Sequence, residues 1–380
     1  PFGCFLSGGI DSSTNAILMS KTLGTPVKTF TSYYEDETNY NEIKYANEIV
    51  DLLKSDNYQI KLTKQNFLDW LNIFAQTSDD PNGDPVSFPV YYLSKLAQEH
   101  NTKMIQVGEG ADEIFCGYKS YLYYTKLWKM FWRYSRHLSL PKHLPFNLME
   151  PLFAPSKRGL QQELVRRLAY KQPLFFGGAH GFYTYEKPSL FTKRFQKLID
   201  IKNSDNIIQN YYKTLQQQNP TADFTMQMLF IELNLRLPEL LLMRVDKMSM
   251  INSIEVRVPF LDHNLVELAS CIPLNLKIKN NTPKYILKKS LKNIVPDNII
   301  KRKKQGFDVP IKEWLRPQTT NDISKFLIEF INNSRLKNLD IIDYKYVQRM
   351  ISNHQYKNRD YSLKLYNLMT LSLWYDYWFK

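Results

Sequence analysis

Phe2-Gly3-Cys4-Phe5-Leu6-Ser7-Gly8-Gly9-Ile10-Asp11-Ser12-Ser13 is the stretch from which the fold is read. Phe2 to Leu6 is short and mostly apolar, as a parallel strand buried on both faces is. Ser7-Gly8-Gly9 is a tight turn, and Ser12 to Leu23 carries a helix pattern. A strand that turns sharply into a helix is the repeating unit of an α/β sheet.

The alternation continues outward. Val27 to Tyr34 is rich in β-formers, and Asn41 to Leu53 places Ile43, Ala46, Ile49, Val50 and Leu53 at helix spacing. Tyr58 to Leu62 reads as a strand, about Pro89 to His100 as a helix, and Lys103 to Val107 as a further strand. Strands alternating with helices predict a doubly wound, mainly parallel α/β sheet. From about 121 to 218 the chain turns aromatic and basic, which predicts a helical insertion. After about Asp223 it reads as mainly helical, and the apolar segment from Leu363 to Phe379 reads as a packed terminal helix.

Four groups of residues carry chemistry. In Ser7-Gly8-Gly9-Ile10-Asp11-Ser12-Ser13 the glycines let backbone approach a ligand, and the helix start offers free N–H groups and a positive dipole end to an anion. Ser7, Ser12 and Ser13 add hydroxyls. Asp11 would repel a phosphate by itself, so it makes sense as a ligand of a bridging magnesium ion. The spacing lacks the lysine of a Walker loop. The plain alternative is a strand-turn-helix with capping serines.

The second group, Gly108-Glu109-Gly110-Ala111-Asp112-Glu113, follows another strand, so both loops are expected at the carboxyl edge of the sheet, facing one crevice. Asp112 with Asp11 would give magnesium two carboxylates, leaving Glu109 to handle a proton or orient an amine. The third is Lys301-Arg302-Lys303-Lys304-Gln305-Gly306-Phe307. A basic run is usually solvated, but a fixed cation beside a developing phosphate charge would lower a barrier, and Gly306-Phe307 suggests a turn pinning the loop. The fourth, Arg244 to Met250 continuing to Glu255 to Asp262, reads as buried ion pairs holding two helices and a turn.

The first loop resembles the pyrophosphate loop of the N-type ATP pyrophosphatases. SGGIDSS, GEGADEIFCGY, RVDKMSM with EVRVPFLD, and KYILKK followed by RKKQGF, in this order, with Asp84-Pro85 between the first two, resemble the synthetase domain of the asparagine synthetase family over nearly the whole chain. The resemblance implies one ATP pyrophosphatase-type domain over 1–380, with an insertion at about 121–218 and an N-terminal glutaminase domain lying outside this sequence. It implies ATP and magnesium as cofactors. ATP and pyrophosphate would contact Ser7, Gly8, Gly9, Asp11, Ser12, Ser13, Ser32, Gly108 and Gly110, with Asp11 and Asp112 on the metal and Glu109 and Lys304 catalytic. The activity implied is a carbon–nitrogen ligase making asparagine from aspartate through an acyl-adenylate, with ammonia drawn from glutamine in the absent domain. Amidation of another carboxylate, such as a uronic acid sugar of a surface polysaccharide, β-lactam-type ring closure, and transfer-RNA modification by a related pyrophosphatase are alternatives.

Composition narrows the classes. The three cysteines, Cys4, Cys116 and Cys271, form no CxxC pair, and the histidines lack metal spacing. No run reaches the roughly 18 apolar residues of a membrane helix, and no signal peptide is evident, so a cytoplasmic enzyme is expected. A net charge of +13 is compatible with nucleotide phosphates, and its lysines are spread along the chain, so a nucleic-acid partner is not expected. A homodimer is allowed for. Proline at position 1, just ahead of a strand, suggests that a longer natural chain precedes it.

Overall fold

A computed structural model describes residues 2–34, 37, 40–137, 158–199, 203–304, 306, 308–317, 323–357 and 359–379. These residues form two compact units, Pro1–Tyr118 with Leu237–Ile311, and Lys119–Arg236 with Lys312–Lys380.

The first unit is built on five parallel strands: β1 (Phe2–Phe5), β2 (Lys28–Tyr33), β3 (Asn57–Lys61), β4 (Met104–Gln106) and β5 (Glu255–Arg257), in the order β3-β2-β1-β4-β5. The α/β reading is borne out. The helices in this part of the chain are α1 (Ile10–Leu23), α2 (Ile43–Leu53), α3 (Lys64–Thr77), α4 (Ser87–Glu99) and α5 (Ala111–Phe115). α3 opens on a capping box in which Thr63 Oγ1 accepts from Asn66 N at 3.1 Å and Asn66 Oδ1 accepts from Thr63 N at 3.0 Å. It buries Phe67, Trp70, Leu71 and Phe74, a stripe of helical period.

Chain order reverses between β1 and β4. Successive strands run outward from β1 to β2 and β3, whereas β4 returns to its other side. A parallel sheet opens a crevice at such a point, beyond the carboxyl ends of the strands. The loops after β1 and β4 are the two singled out by sequence. Beneath them Phe30, Ile105 and Val107 pack with Leu93, Leu96 and Ala97 of α4, and with Val245 and Ile254. The helix Met243–Met250, which contains Arg244, therefore sits on the sheet core. Within the segment read as two helices and a turn, Glu255-Val256-Arg257 pairs with β4 as the edge strand β5.

The second unit is helical among the described residues. Its longer helices are Lys119–Met130, Arg158–Ala169, Asn203–Gln218, Ile323–Asn333, Tyr344–Tyr356 and Ser362–Trp378. Its interior holds ion pairs: Arg166 meets Glu163 at 2.6 Å and Asp205 at 2.9 Å, and Arg167 meets Asp205 at 3.1 Å. Each of these buried charges has an opposite partner, the condition under which burial is tolerated. The terminal helix buries Leu365, Tyr366, Leu368, Met369 and Leu373, as its apolar sequence suggests, and leaves Trp378 and Phe379 exposed beyond. No helix among the described residues is long and apolar enough to cross a membrane.

Candidate active site

The loop after β1 is held by its own hydroxyls. Ser7 Oγ and Ser12 Oγ lie 3.1 Å apart, Gly9 N donates to Ser7 Oγ at 3.3 Å, and Ser12 Oγ donates to the Gly9 carbonyl at 3.2 Å. Gly9 caps α1 without a side-chain cap bond, which leaves first-turn N–H groups for a ligand. Ser13 Oγ and Ser32 Oγ are buried without a hydrogen-bond partner. Buried hydroxyls are rarely left so, and these two stand at the start of α1 and toward the end of β2.

Gly8 has φ +69°, in the left-handed region, and a Cβ there would lie 2.5 Å from backbone atoms of Tyr45 and Ala46. Gly24 has φ +65° and open space around it. Both alanine substitutions carry the left-handed strain of about 1–2 kcal/mol, and only Gly8→Ala adds a backbone clash. Gly8→Ala is therefore expected to lower stability by about 1–3 kcal/mol more than Gly24→Ala. Denaturant unfolding checks this, and equal losses would mean that α2 does not wedge the loop.

The loop after β4 comes against the first. A Cβ on Gly108 would lie 2.8 Å from Asp11 Cβ, so glycine is what lets the two loops close on each other. Asp11 and Asp112 then converge on one cationic point, the Lys284 ammonium, 2.6 Å from Asp11 and 2.7 Å from Asp112. Lys304 pairs with the other Asp112 oxygen and stands 4.3 Å over the Tyr118 ring. Burial alone would raise Asp112, but Lys284 and Lys304 outweigh it and hold the carboxyl down at about 2. Burial pushes the Asp11 carboxyl up, opposed in part by Lys284. Glu113 is also pushed up, to about 7, by burial and by the neighbouring Asp112, although Tyr118 donates to it at 2.6 Å.

Two carboxylates meeting at one positive charge are a donor set that suits magnesium. Asp11 and Asp112 would hold such an ion, and Lys284, which pairs with both, would have to release them to it. No group of three or more His, Cys, Asp or Glu residues able to hold a metal occurs among the described residues. A magnesium ion here would thus keep water and phosphate oxygens in its remaining positions, as it commonly does.

Glu109 lies in the same loop, its Oε1 2.6 Å from Arg244, whose other arm is 2.5 Å from Asp84. Arg244 is buried and its two terminal nitrogens each meet an acid, which agrees with the buried ion-pair reading of its segment. Ser7, Gly8 and Gly9 form the turn after β1 and Asp11, Ser12 and Ser13 the start of α1; Gly108 lies against Asp11 and Ser12, Asp112 meets Asp11 across Lys284, and Lys304 reaches Asp112, whereas Gly110 faces Leu261 and Glu109 faces Arg244. Ser32 lies on β2, beside β1. Gln305 and Phe307, and with them the expected Gly306-Phe307 turn, lie outside the described residues, as does 138–157 of the aromatic and basic stretch.

Two participants carried no catalytic signature in the sequence. Lys284 opens a short helix in the KYILKK block, and its reach to Asp11 spans 273 residues. Arg302, inside the basic run, is buried against the first loop, donating to the Gly8 carbonyl at 2.8 Å and pairing with Glu42.

The asparagine synthase family pattern matches residues 1–376. The chain is similar to glutamine-hydrolyzing asparagine synthetase 1 of Bacillus subtilis (strain 168), with 30% identity over 99% of this chain and 56% of the relative. A putative glutamine-hydrolyzing asparagine synthetase of Mycobacterium tuberculosis (strain ATCC 25618 / H37Rv) is 29% identical over 98% of this chain and 54% of its own length. Amidase chry2 of Gibberella zeae is 22% identical over 92% of this chain and 54% of its own. The chain spans about half the length of the curated relatives it matches. With a family pattern over nearly all its residues and the matching loops meeting at one sheet edge, the chain belongs to the asparagine synthase family.

Proposed function

We propose that this chain is an ATP-dependent ligase that activates a carboxylate as an acyl-adenylate and passes the acyl group to ammonia, with aspartate as the acceptor. The observation that carries the reading is the convergence of Asp11 and Asp112 on one cationic centre, beside a loop suited to phosphate and at the switch point of a parallel sheet.

A carboxylate oxygen of the acceptor attacks the α-phosphorus of ATP, the bond to the β-phosphate oxygen breaks, and pyrophosphate leaves with that bond's electron pair. The first-turn N–H groups of α1 and the hydroxyls of Ser7, Ser12 and Ser13 receive the phosphates. Asp11 and Asp112 would hold magnesium, which neutralises phosphate charge when bound. Lys304 and Lys284 carry the positive charge that faces the developing negative charge. Ammonia then attacks the acyl carbon, AMP departs, and Glu109, oriented by Arg244, takes the proton the new amide nitrogen must lose.

In the relatives whose names say glutamine-hydrolyzing, ammonia comes from glutamine. Glutamine hydrolysis by a thiol needs an accessible, acidified cysteine. Cys4 is fully buried with its thiol pushed up to about 12 by burial, Cys116 is buried too, and Cys271, the exposed one, ends the helix His263–Cys271, outside the loops that form the site. These 380 residues are therefore expected to form amide and AMP from ATP, aspartate and ammonium, and none when glutamine replaces ammonium. Product analysis by mass spectrometry checks this. ADP in place of AMP would refute the adenylate, and amide from glutamine would refute the division of labour.

A further inference from the structure

We propose that Arg302 is a positioning residue of the phosphate site. It anchors a strap, Arg302-Lys303-Lys304, whose two ends grip the two phosphate-side loops separately. The inference rests on the reading above that ATP lies over the Ser7 to Ser13 loop.

The three residues of the strap stand in different surroundings. The Arg302 side chain is 7% exposed, its guanidinium lies 4.1 Å over the Tyr45 ring, and its two arms reach the Gly8 carbonyl and Glu42. Glu42 sits at the start of α2, where its carbonyl accepts from Tyr45 N at 2.9 Å. Gly8 is thereby wedged between the first turn of α2 and the guanidinium. Lys303 is exposed. Lys304 is 37% exposed and pairs with Asp112 of the second loop.

The chemistry of the two ends differs accordingly. A peptide carbonyl aimed at a phosphate repels it. Tying the Gly8 carbonyl to a cation on the α2 side turns that oxygen away and fixes the loop with its N–H groups free for the anion. Nothing in phosphate binding competes for this bond, so Arg302 keeps its partners throughout. Lys304 is held by a carboxylate that a magnesium ion would also claim, so it must change partners when magnesium and phosphate arrive. A planar guanidinium serves Gly8 and Glu42 together, whereas a lysine is a point charge that serves one at a time.

The test is calorimetric titration of the 380-residue chain with three probes, magnesium ATP, magnesium pyrophosphate and AMP. Arg302→Ala is expected to weaken ATP and pyrophosphate about tenfold or more, the loss of one charge-assisted hydrogen bond, and AMP much less. Arg302→Lys should recover part of the loss. Methylguanidinium added to Arg302→Ala should recover part of it as well, which a merely unfolded variant would not allow. Lys301→Ala, whose ion pair with Asp297 is exposed, is the control and should bind as wild type does. Unchanged ATP and pyrophosphate binding in Arg302→Ala, or equal losses for all three probes without methylguanidinium rescue, overturns the inference alone. A wild-type chain that binds neither ATP nor pyrophosphate overturns it together with the reading beneath it.

Discussion

Replacing Lys304 by alanine is expected to slow adenylate formation by about 100-fold or more, roughly 3 kcal/mol, while changing ATP affinity only modestly. On the proposed reading the ground-state triphosphate would be held by loop N–H groups, serine hydroxyls and magnesium, so one cation fewer would cost little. In the transition state the α-phosphorus carries an additional oxygen and the departing pyrophosphate takes on charge. An interaction made mainly at that point acts on rate rather than affinity. Lys304 suits this part because it is 37% exposed and, among the described residues, is tethered by Asp112 and the Tyr118 ring. Lys303 is the control: it is exposed and should matter far less. Equal falls in Lys303→Ala and Lys304→Ala would make the run a general basic patch, and no fall in either would remove it from the site.

Lys284→Met is expected to be the least stable of the site variants. The Lys284 ammonium is 4% exposed and stands between Asp11 and Asp112. Removing it strands two mostly buried carboxylates, 18% and 15% exposed, with Lys304 left to offset one. Deleting one partner of a buried ion pair costs on the order of 3–5 kcal/mol, and the surviving Lys304 places this case at the lower end. The pH dependence has a definite sign. Burial already pushes the Asp11 carboxyl above its ordinary 3.8, and losing Lys284 pushes it further. A carboxyl whose folded value is raised loses stability as pH rises from its ordinary value through the raised one. The deficit of Lys284→Met relative to wild type should therefore be smaller at pH 4 than at pH 8. Millimolar magnesium should restore part of the lost stability by taking the ammonium's place, and Asp112→Asn in the same chain should abolish that restoration. Thermal unfolding with and without magnesium reads all of this. A deficit independent of pH and of magnesium would mean that the two carboxylates do not form a cation site.

Local pattern made part of this molecule legible. β1, β2, β3 and β4 and the helices α1, α2 and α4 lie within a few residues of where alternation and helix spacing put them, because those signals are local. α3 has the same kind of signal, Thr63 as cap and Phe67, Trp70, Leu71 and Phe74 at helical spacing, yet the reading along the chain passes over it. β5 is different: three residues are too few for periodicity, and only pairing with β4 makes Glu255–Arg257 a strand.

The candidate site divides in the same way. Asp11, Glu109 and Asp112 stand in or directly after glycine-rich turns that announce themselves. Lys284 and Arg302 act across 273 and 294 residues of chain, and a lysine or arginine in a basic stretch looks the same whether it is solvated or buried against a loop. Burial and partner decide which it is, and both are properties of the folded chain.

The central claim is that a carboxylate becomes an acyl-adenylate at the meeting point of the two loops. Exchange of labelled pyrophosphate into ATP tests it most directly, run on the 380-residue chain without any ammonia source and across a panel of carboxylates that includes aspartate and a uronic acid. Exchange is expected to require magnesium and a carboxylate, to be strongest with aspartate, and to fall with Lys304→Ala. Consumption of ATP to ADP and phosphate, with no exchange for any carboxylate, would contradict it.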